Sequence, residues 1–298
     1  MAVIATGFFD GVHVGHRLVL ETLVQTARER GELSVVVTFW PHPRIVLHDD
    51  ALSLRLLNTL DEKINLLRGL GVDRVEVLPF TEEFSRTSAA DYLRKYVKER
   101  FDGTAILLGY DNRIGHDSGT PAQTADIAAE LGLDVIRTDK VSSVGIAVSS
   151  SKIRKALFAG DVATASAFLC YDYSLEGEVV HGRKVGRTIG FPTANLDLYE
   201  KMKLVPAEGV YLTRVHLGDR TFHGMTNIGV PGGQAGLPGQ AGAATNETYI
   251  FDFDEEIYGS PMRIEFLRRI RGEQKFESLD DLAAQLRADE QACREMIG

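Results

Sequence analysis

The sequence predicts an α/β domain built on a parallel sheet, followed by an antiparallel β domain that ends in a helix. Three observations predict this. Over the first half, apolar runs alternate with capped amphipathic stretches. Beyond about Leu169 that pattern gives way to short stretches rich in β-branched and aromatic residues, separated by Gly and Pro. At the end, Ser278 and Asp281 form a capping signal ahead of Leu279, Leu282 and Leu286, which recur on one helical face. The expected division is 1–169 and 170–298.

In order, "VIAT" reads as the first strand, and a helix follows from about Gly15 to Arg30 with Leu20, Leu23, Val24 and Ala27 on one face. Gly31 offers a left-handed stop, and "LSVVVTFW" reads as a buried strand. "TLDE" from Thr59 is a capping box before Ile64, Leu67 and Leu70, and the strand "RVEVLPF" follows Gly71. "SAAD" from Ser88 repeats the signal ahead of the strand "TAILLG". A helix near Gln123 to Leu131 stops at Gly132, before "LDVIRT". Five strands with helices between them imply right-handed parallel crossovers, which place ligands beyond the carboxyl ends of the strands.

The second half offers "YSLEGEVV", "GVYLTRVHLG", "RTFHGMTNIGV", "ETYIFDF" and "PMRIEFLRRI" as antiparallel strands of a barrel or a sandwich. The stretch Val230 to Thr245 is low in complexity and is expected to be mobile. No internal repeat interrupts the pattern.

The formal net charge of −9 over 298 residues repels nucleic acid, and no apolar run is long enough to span a membrane. Cys170 and Cys293 fit no ligand spacing and suit a reducing compartment. With no secretory signal expected ahead of Ala2, a cytoplasmic protein acting on small molecules is the reading; the sequence leaves its oligomeric state open.

The string "GFFDGVHVGH", Gly7 to His16, sits at the end of the first strand. Its two histidines could be metal ligands, polar residues lining a tight turn, or phosphate grips. Zinc needs more ligands than the segment supplies. A strand end, a glycine turn and a helix start present N–H groups and a positive dipole end to an anion. Gly11 and Gly15 let the backbone come close, and imidazoles can donate to phosphate oxygens. "SSSKIRKAL", Ser149 to Leu157, adds hydroxyls at a helix start and Arg154 one turn in, which reads either as an N-cap or as a second anion site. In "GFPTAN", Thr193 and Asn195 place two oxygen ligands on one side of an extended segment, a donor type that suits Mg²⁺; a simple turn is the alternative.

The pair HxGH and SSSxxR resembles the signature of nucleotidyltransferases that share a fold core with class I aminoacyl-tRNA synthetases. The whole chain resembles the bacterial bifunctional riboflavin kinase/FMN adenylyltransferases. The motifs that carry this are "GFFDGVHVGH", "TFWPHPR", "LLGYDNRIG", "VSSSKIRKAL", "GRKVGRTIGFPTANL", "GVY", "NIG", "ETYIFDF", "YG" and "FLRRIRGEQKF", in that order over nearly the full length. The resemblance implies a nucleotidyltransferase-type α/β domain and then a riboflavin kinase β-barrel with a terminal helix.

It further implies that Gly7, Phe8, Asp10, Gly11, His13, Gly15 and His16 hold ATP, that Ser150, Ser151 and Arg154 hold its phosphates, and that "TFWPHPR" and Asp111 line the cleft toward adenine or FMN. His13, His16 and Arg154 would act in adenylyl transfer. In the kinase domain it implies a phosphate loop at Gly182, Gly186, Arg187 and Gly190, Mg²⁺ on Thr193 and Asn195, and Glu247 as catalytic base. ATP and riboflavin enter as substrates, and FMN and FAD are made in turn. The chain departs from the family at Asn112, where members carry an aromatic, and at Pro231 to Ala244, where a glycine-rich stretch replaces an Arg-Pro-Thr run. An adenylyltransferase with a silent kinase half, or a flavin-binding protein without turnover, are the alternatives.

Overall fold

The computed structural model describes residues 1–47, 55–109, 114–117, 120–138, 142–143, 146–182, 185–229 and 245–298. The chain divides into two compact units, Met1–Ser150 and Ser151–Gly298.

The first unit carries β1 (Ala2–Thr6), α1 (Val14–Arg30), β2 (Leu33–Trp40), α2 (Pro43–Leu47), α3 (Leu60–Gly69), β3 (Arg74–Pro79), α4 (Glu82–Ser85), α5 (Ala89–Tyr92), β4 (Gly103–Leu108), α6 (Pro121–Glu130) and β5 (Asp134–Arg137), with a small hairpin of β6 (Ser142–Ser143) and β7 (Ile146–Ala147). The sheet order is β3-β2-β1-β4-β5. Every pairing is parallel, as expected. Both faces are covered: Ile4, Val35, Val37 and Ile106 pack on one side, and Val3, Ala5, Val36 and Leu107 on the other. That is why these strands read as continuous apolar runs and not as alternating ones. The strand order reverses between β1 and β4, so the crevice beyond their carboxyl ends is a topological switch point.

Thr59 forms the expected reciprocal capping box with Glu62, and Thr120 forms a second with Gln123. At Ser88 and Ser278 the carboxylate three residues on is an aspartate. There the hydroxyl accepts from the Asp91 or Asp281 N–H and donates back to the same residue's carboxylate. The "SAAD" helix is α-helical only to Tyr92 and continues as a π-helix over Leu93–Arg100.

The helices α7 (Ser150–Phe158), apart from its first residue, and α8 (Val162–Leu169) fall in the second unit, although the sequence division at 169 grouped them with the first. They pack there: α8 lies on the strand Pro261–Arg271, the Ala207 N–H donates to the Leu157 carbonyl at 3.0 Å, and Arg269 Nη1 donates to the Ala159 carbonyl at 3.1 Å.

The remaining elements are β8 (Ser174–Val180), α9 (Val185–Thr188), β9 (Ala194–Leu198), β10 (Gly209–Leu217), β11 (Arg220–Gly229), β12 (Thr245–Ile250), β13 (Pro261–Arg271) and α10 (Leu279–Ile297). The strands close into a barrel in the order β10-β11-β12-β9-β8-β13, which excludes a sandwich. The sixth strand, β9, was not anticipated as a strand. Its "ANLDL" buries Ala194, Leu196 and Leu198 and turns Asn195 and Asp197 outward, a period-2 pattern.

Tyr211, Val215 and Phe266 fill the buried core. Beside them the buried hydroxyls of Thr213, Thr226 and Thr248 form a ladder at 2.9 and 2.8 Å, which satisfies polar groups that would otherwise be costly to bury. On the other face of β10, Val210 and Leu212 join Met225, Phe251 and Cys293 of α10 in a separate cluster. Arg271 ties β13 to Asp289 of α10 at 2.8 Å, with the aspartate 3% exposed.

Candidate active sites

The first site begins where β1 ends. Three residues of the turn have left-handed backbone: Phe9 (φ 53°), Gly11 (φ 88°) and Val12 (φ 39°). A β-branched residue in that region is uncommon, and such strain persists only where the surroundings enforce it. The surroundings do. The Val12 N–H donates to the Phe9 carbonyl at 3.1 Å. The Asp10 carboxylate, 5% exposed, accepts from the Leu57 and Asn58 N–H groups at 3.1 and 3.3 Å. The Ser150 hydroxyl donates to the Asp10 carbonyl at 2.9 Å.

This turn delivers His13 to the N-cap of α1, where its side chain makes no cap hydrogen bond and no acidic residue occupies the first turn. The helix start therefore keeps its positive character. The His13 and His16 rings stack with centroids 3.7 Å apart and 16° between planes. A Cβ on Gly15 would lie 3.3 Å from the His13 ring, so the small residue lets the ring lie against the backbone. Burial first, then His13 and Lys63, hold the His16 pKa well below its ordinary 6.5, so this imidazole is neutral at pH 7.

Beside the turn lies a cavity of about 330 Å³ whose aromatic lining is Phe8, Phe39, Phe80, Phe84 and Tyr92. Phe39 meets Phe80 and Phe84 at 6.1 and 5.5 Å. The Tyr92 hydroxyl pairs with the Thr6 hydroxyl at 2.7 Å, and burial raises the Tyr92 pKa. Such walls suit a flat ring. Gly7, Phe8, Asp10, Gly11, His13, Gly15, His16 and Ser150 thus share one neighbourhood. Ser151 and Arg154 lie on α7, the serine exposed and the arginine half-buried. Asp111 and Asn112 lie outside the described residues.

Sequence reading missed Lys63, which is 2% exposed and donates to the Phe8 carbonyl at 3.1 Å. The signal was present. Lys63 stands four residues before Leu67, so it shares the buried face of α3.

The second site lies on the barrel. Glu247 of β12 is directly opposite Asn195 of β9 and Asn227 of β11. Opposed residues project to the same face, so a carboxylate and two amides stand in a row. Asn227, quoted only within "NIG", was not singled out by the sequence. A Cβ on Gly182 would lie 2.2 Å from Asn195 Nδ2, so only glycine admits the amide there. Gly186 is equally tight against the Phe191 carbonyl, at 2.2 Å.

One residue along each strand, Ala194 and Thr248 line a cavity of about 210 Å³ together with Arg187, Thr193 and Tyr258. Gly190 turns with φ 87° just before this wall. Arg183, Lys184 and the glycine-rich stretch 230–244 lie outside the described residues. Among the described residues no cluster of three or more His, Cys, Asp or Glu side chains could hold a metal ion. The oxygens at Thr193 and Asn195 are neutral donors, which fits an ion that keeps waters and shares phosphate oxygens.

Comparison with known proteins agrees with this division. The FAD synthetase family model matches residues 1–152, and the riboflavin kinase model matches residues 169–297. The bifunctional riboflavin kinase/FMN adenylyltransferase of Bacillus subtilis (strain 168) is 36% identical over 293 residues, covering 97% of this chain and 90% of that protein. Its counterpart in Escherichia coli (strain K12) is 34% identical over 298 residues, covering 99% and 93%. A crystal structure described as a macrolide-efflux protein from Streptococcus pneumoniae superposes with a TM-score of 0.90 at 32% identity, covering 98% of this chain and 93% of that one. Two full-length matches under one name, and two family models that divide the chain much as its folded units do, place the chain in the family of bifunctional riboflavin kinase/FMN adenylyltransferases.

Proposed function

We propose that the second unit phosphorylates riboflavin to FMN and the first unit adenylylates FMN to FAD, with ATP as donor in both steps. The observation that carries this reading is the presence of two separate cavities, each beside one set of motifs and each within one family match. The efflux description of the structural neighbour belongs to that protein; among the described residues here, no helix is long and apolar enough to cross a membrane.

In the kinase step the ribityl hydroxyl attacks the γ-phosphorus of ATP, and ADP leaves. A neutral alcohol is a poor nucleophile, so Glu247 accepts its proton as the bond forms. Asn195 and Asn227 flank that carboxylate and hold its neighbourhood in register. Thr193 and Asn195 would hold Mg²⁺, which supplies charge neutralisation on the phosphates when bound. Gly182, Gly186, Arg187 and Gly190 form the loop that receives the phosphates.

Adenylylation needs no base. The second pKa of the FMN phosphate is roughly 6, so it is largely dianionic at neutral pH. It attacks the α-phosphorus of ATP, and pyrophosphate leaves. His13, His16 and the start of α1 receive the phosphates, Ser150, Ser151 and Arg154 add hydroxyls and a cation, and the aromatic cavity takes a flat ring.

The test is a time course of purified protein with riboflavin, ATP and Mg²⁺, with the three flavins separated. FMN should rise first and FAD follow. FAD from supplied FMN, but none from riboflavin, would show a silent kinase half. Riboflavin bound without turnover would leave only a binding protein.

A further inference from the structure

Lys63 is a cation in the interior of the first unit. Its Nζ donates to the Phe8 carbonyl at 3.1 Å and to the Phe39 carbonyl at 3.5 Å. It also stands 4.0 Å from the centroid of the Phe8 ring. The Phe8 carbonyl accepts a second hydrogen bond from the Thr38 hydroxyl at 3.2 Å. One ammonium therefore ties the residue that opens the strained turn to the end of β2, and both residues line the aromatic cavity.

A cation is an expensive way to fill such a place. Burial pulls the Lys63 pKa down to about 8, against the opposing pull of Asp10. A methionine would fill similar volume without that penalty. The ammonium does what methionine cannot: it holds two main-chain carbonyls whose residues, Phe8 and Phe39, both line the cavity.

We propose that Lys63 is a positioning residue for adenylyl transfer, which fixes the Phe8 and Phe39 backbone and thereby sets where the imidazole turn and the aromatic walls meet their ligands. The proposal rests on the reading of the first unit as the adenylyltransferase. Asp10 of the turn and His16 of α1 interact with this ammonium, His13 stacks on His16, His42 stands against the Phe8 ring after β2, and Glu62 neighbours the lysine on α3. Loss of the Lys63 proton weakens both carbonyl bonds, so the rate should fall as pH rises through about 8.

The test compares full-length protein with Lys63→Met and Lys63→Arg, supplied with FMN, ATP and Mg²⁺ across the pH range. For Lys63→Met we expect kcat for FAD formation to fall on the order of a hundredfold, the scale of a small misplacement of reacting groups. The KM for ATP and the formation of FMN from riboflavin should change by less than about threefold. Its alkaline limb near pH 8 should be gone. Lys63→Arg keeps its charge, should recover part of the rate and should lose the limb as well; if Lys63→Met fails to fold, this variant alone decides. A Lys63→Met enzyme as fast as wild type, or a limb shared unchanged by every form, overturns the proposal. Wild-type protein that makes no FAD from FMN overturns the adenylyltransferase reading and this inference together.

Discussion

The Ser150 hydroxyl donates to the Asp10 carbonyl at 2.9 Å, joining residues 140 positions apart in the chain. Ser150 is therefore tied to a main-chain carbonyl of the strained turn. Ser150→Ala removes a bond worth about 0.5–1.5 kcal/mol. FAD formation from FMN should fall about twofold to tenfold, the kinetic equivalent of that energy, while FMN formation stays unchanged. Initial rates of the two half-reactions check this.

His16→Ala should lower FAD formation by on the order of a hundredfold to a thousandfold, the usual loss for one donor to a developing anion, and spare FMN formation. A second measurement concerns stability. The folded-state pKa of His16 lies below 6.5, so below that pH the unfolded chain binds more protons and stability falls as pH falls. One such group contributes a slope of up to about 1.4 kcal/mol per pH unit. His16→Phe should flatten it. The chain has one tryptophan, Trp40, at the end of β2, so urea midpoints followed by its fluorescence report on the unit that matters.

Glu247→Gln keeps the shape of the Asn195–Glu247–Asn227 row but removes the proton acceptor. FMN formation should drop roughly a hundredfold to ten-thousandfold, the range for a lost general base. FAD formation from supplied FMN should continue at the wild-type rate. Equal loss of both steps in a folded variant would contradict separate sites.

Asp289→Ala leaves the Arg271 guanidinium, itself 15% exposed, without its carboxylate. Breaking one side of a buried pair costs about 3–5 kcal/mol. Thermal inactivation of FMN formation should move to lower temperature. Replacing both partners with apolar residues should recover much of the loss.

The parallel sheet was legible because both of its faces are buried and its helices carry capping boxes, so period and punctuation agree at Thr59 and at Gly31. The barrel was legible strand by strand except at β9, whose five residues were hidden inside a more arresting motif. The turn at His13 and His16 was legible as a glycine turn between a strand end and a helix start. Its neutral His16 was not, because that state depends on burial and on Lys63, which arrives from α3. Lys63 escaped notice because a lysine within "LDEKINLL" looks like surface until Leu67 fixes which face is inward. The place of α7 and α8 with the second unit depends on contacts with Ala207 and Arg269, far along the chain.

The ring of strands from β10 round to β13 leaves no open flank in the barrel on which a foreign strand could add. Unwanted stacking between copies during expression would have to start in the first unit, at β3, β5 or the two-residue strands of the hairpin. Those flanks are poor templates: β3 carries Arg74 paired with Glu76 and ends in Pro79, and β5 is four residues long with Asp134 and Arg137 at its ends. The half that holds the aromatic cavity is therefore also the half whose solubility depends on charged trim.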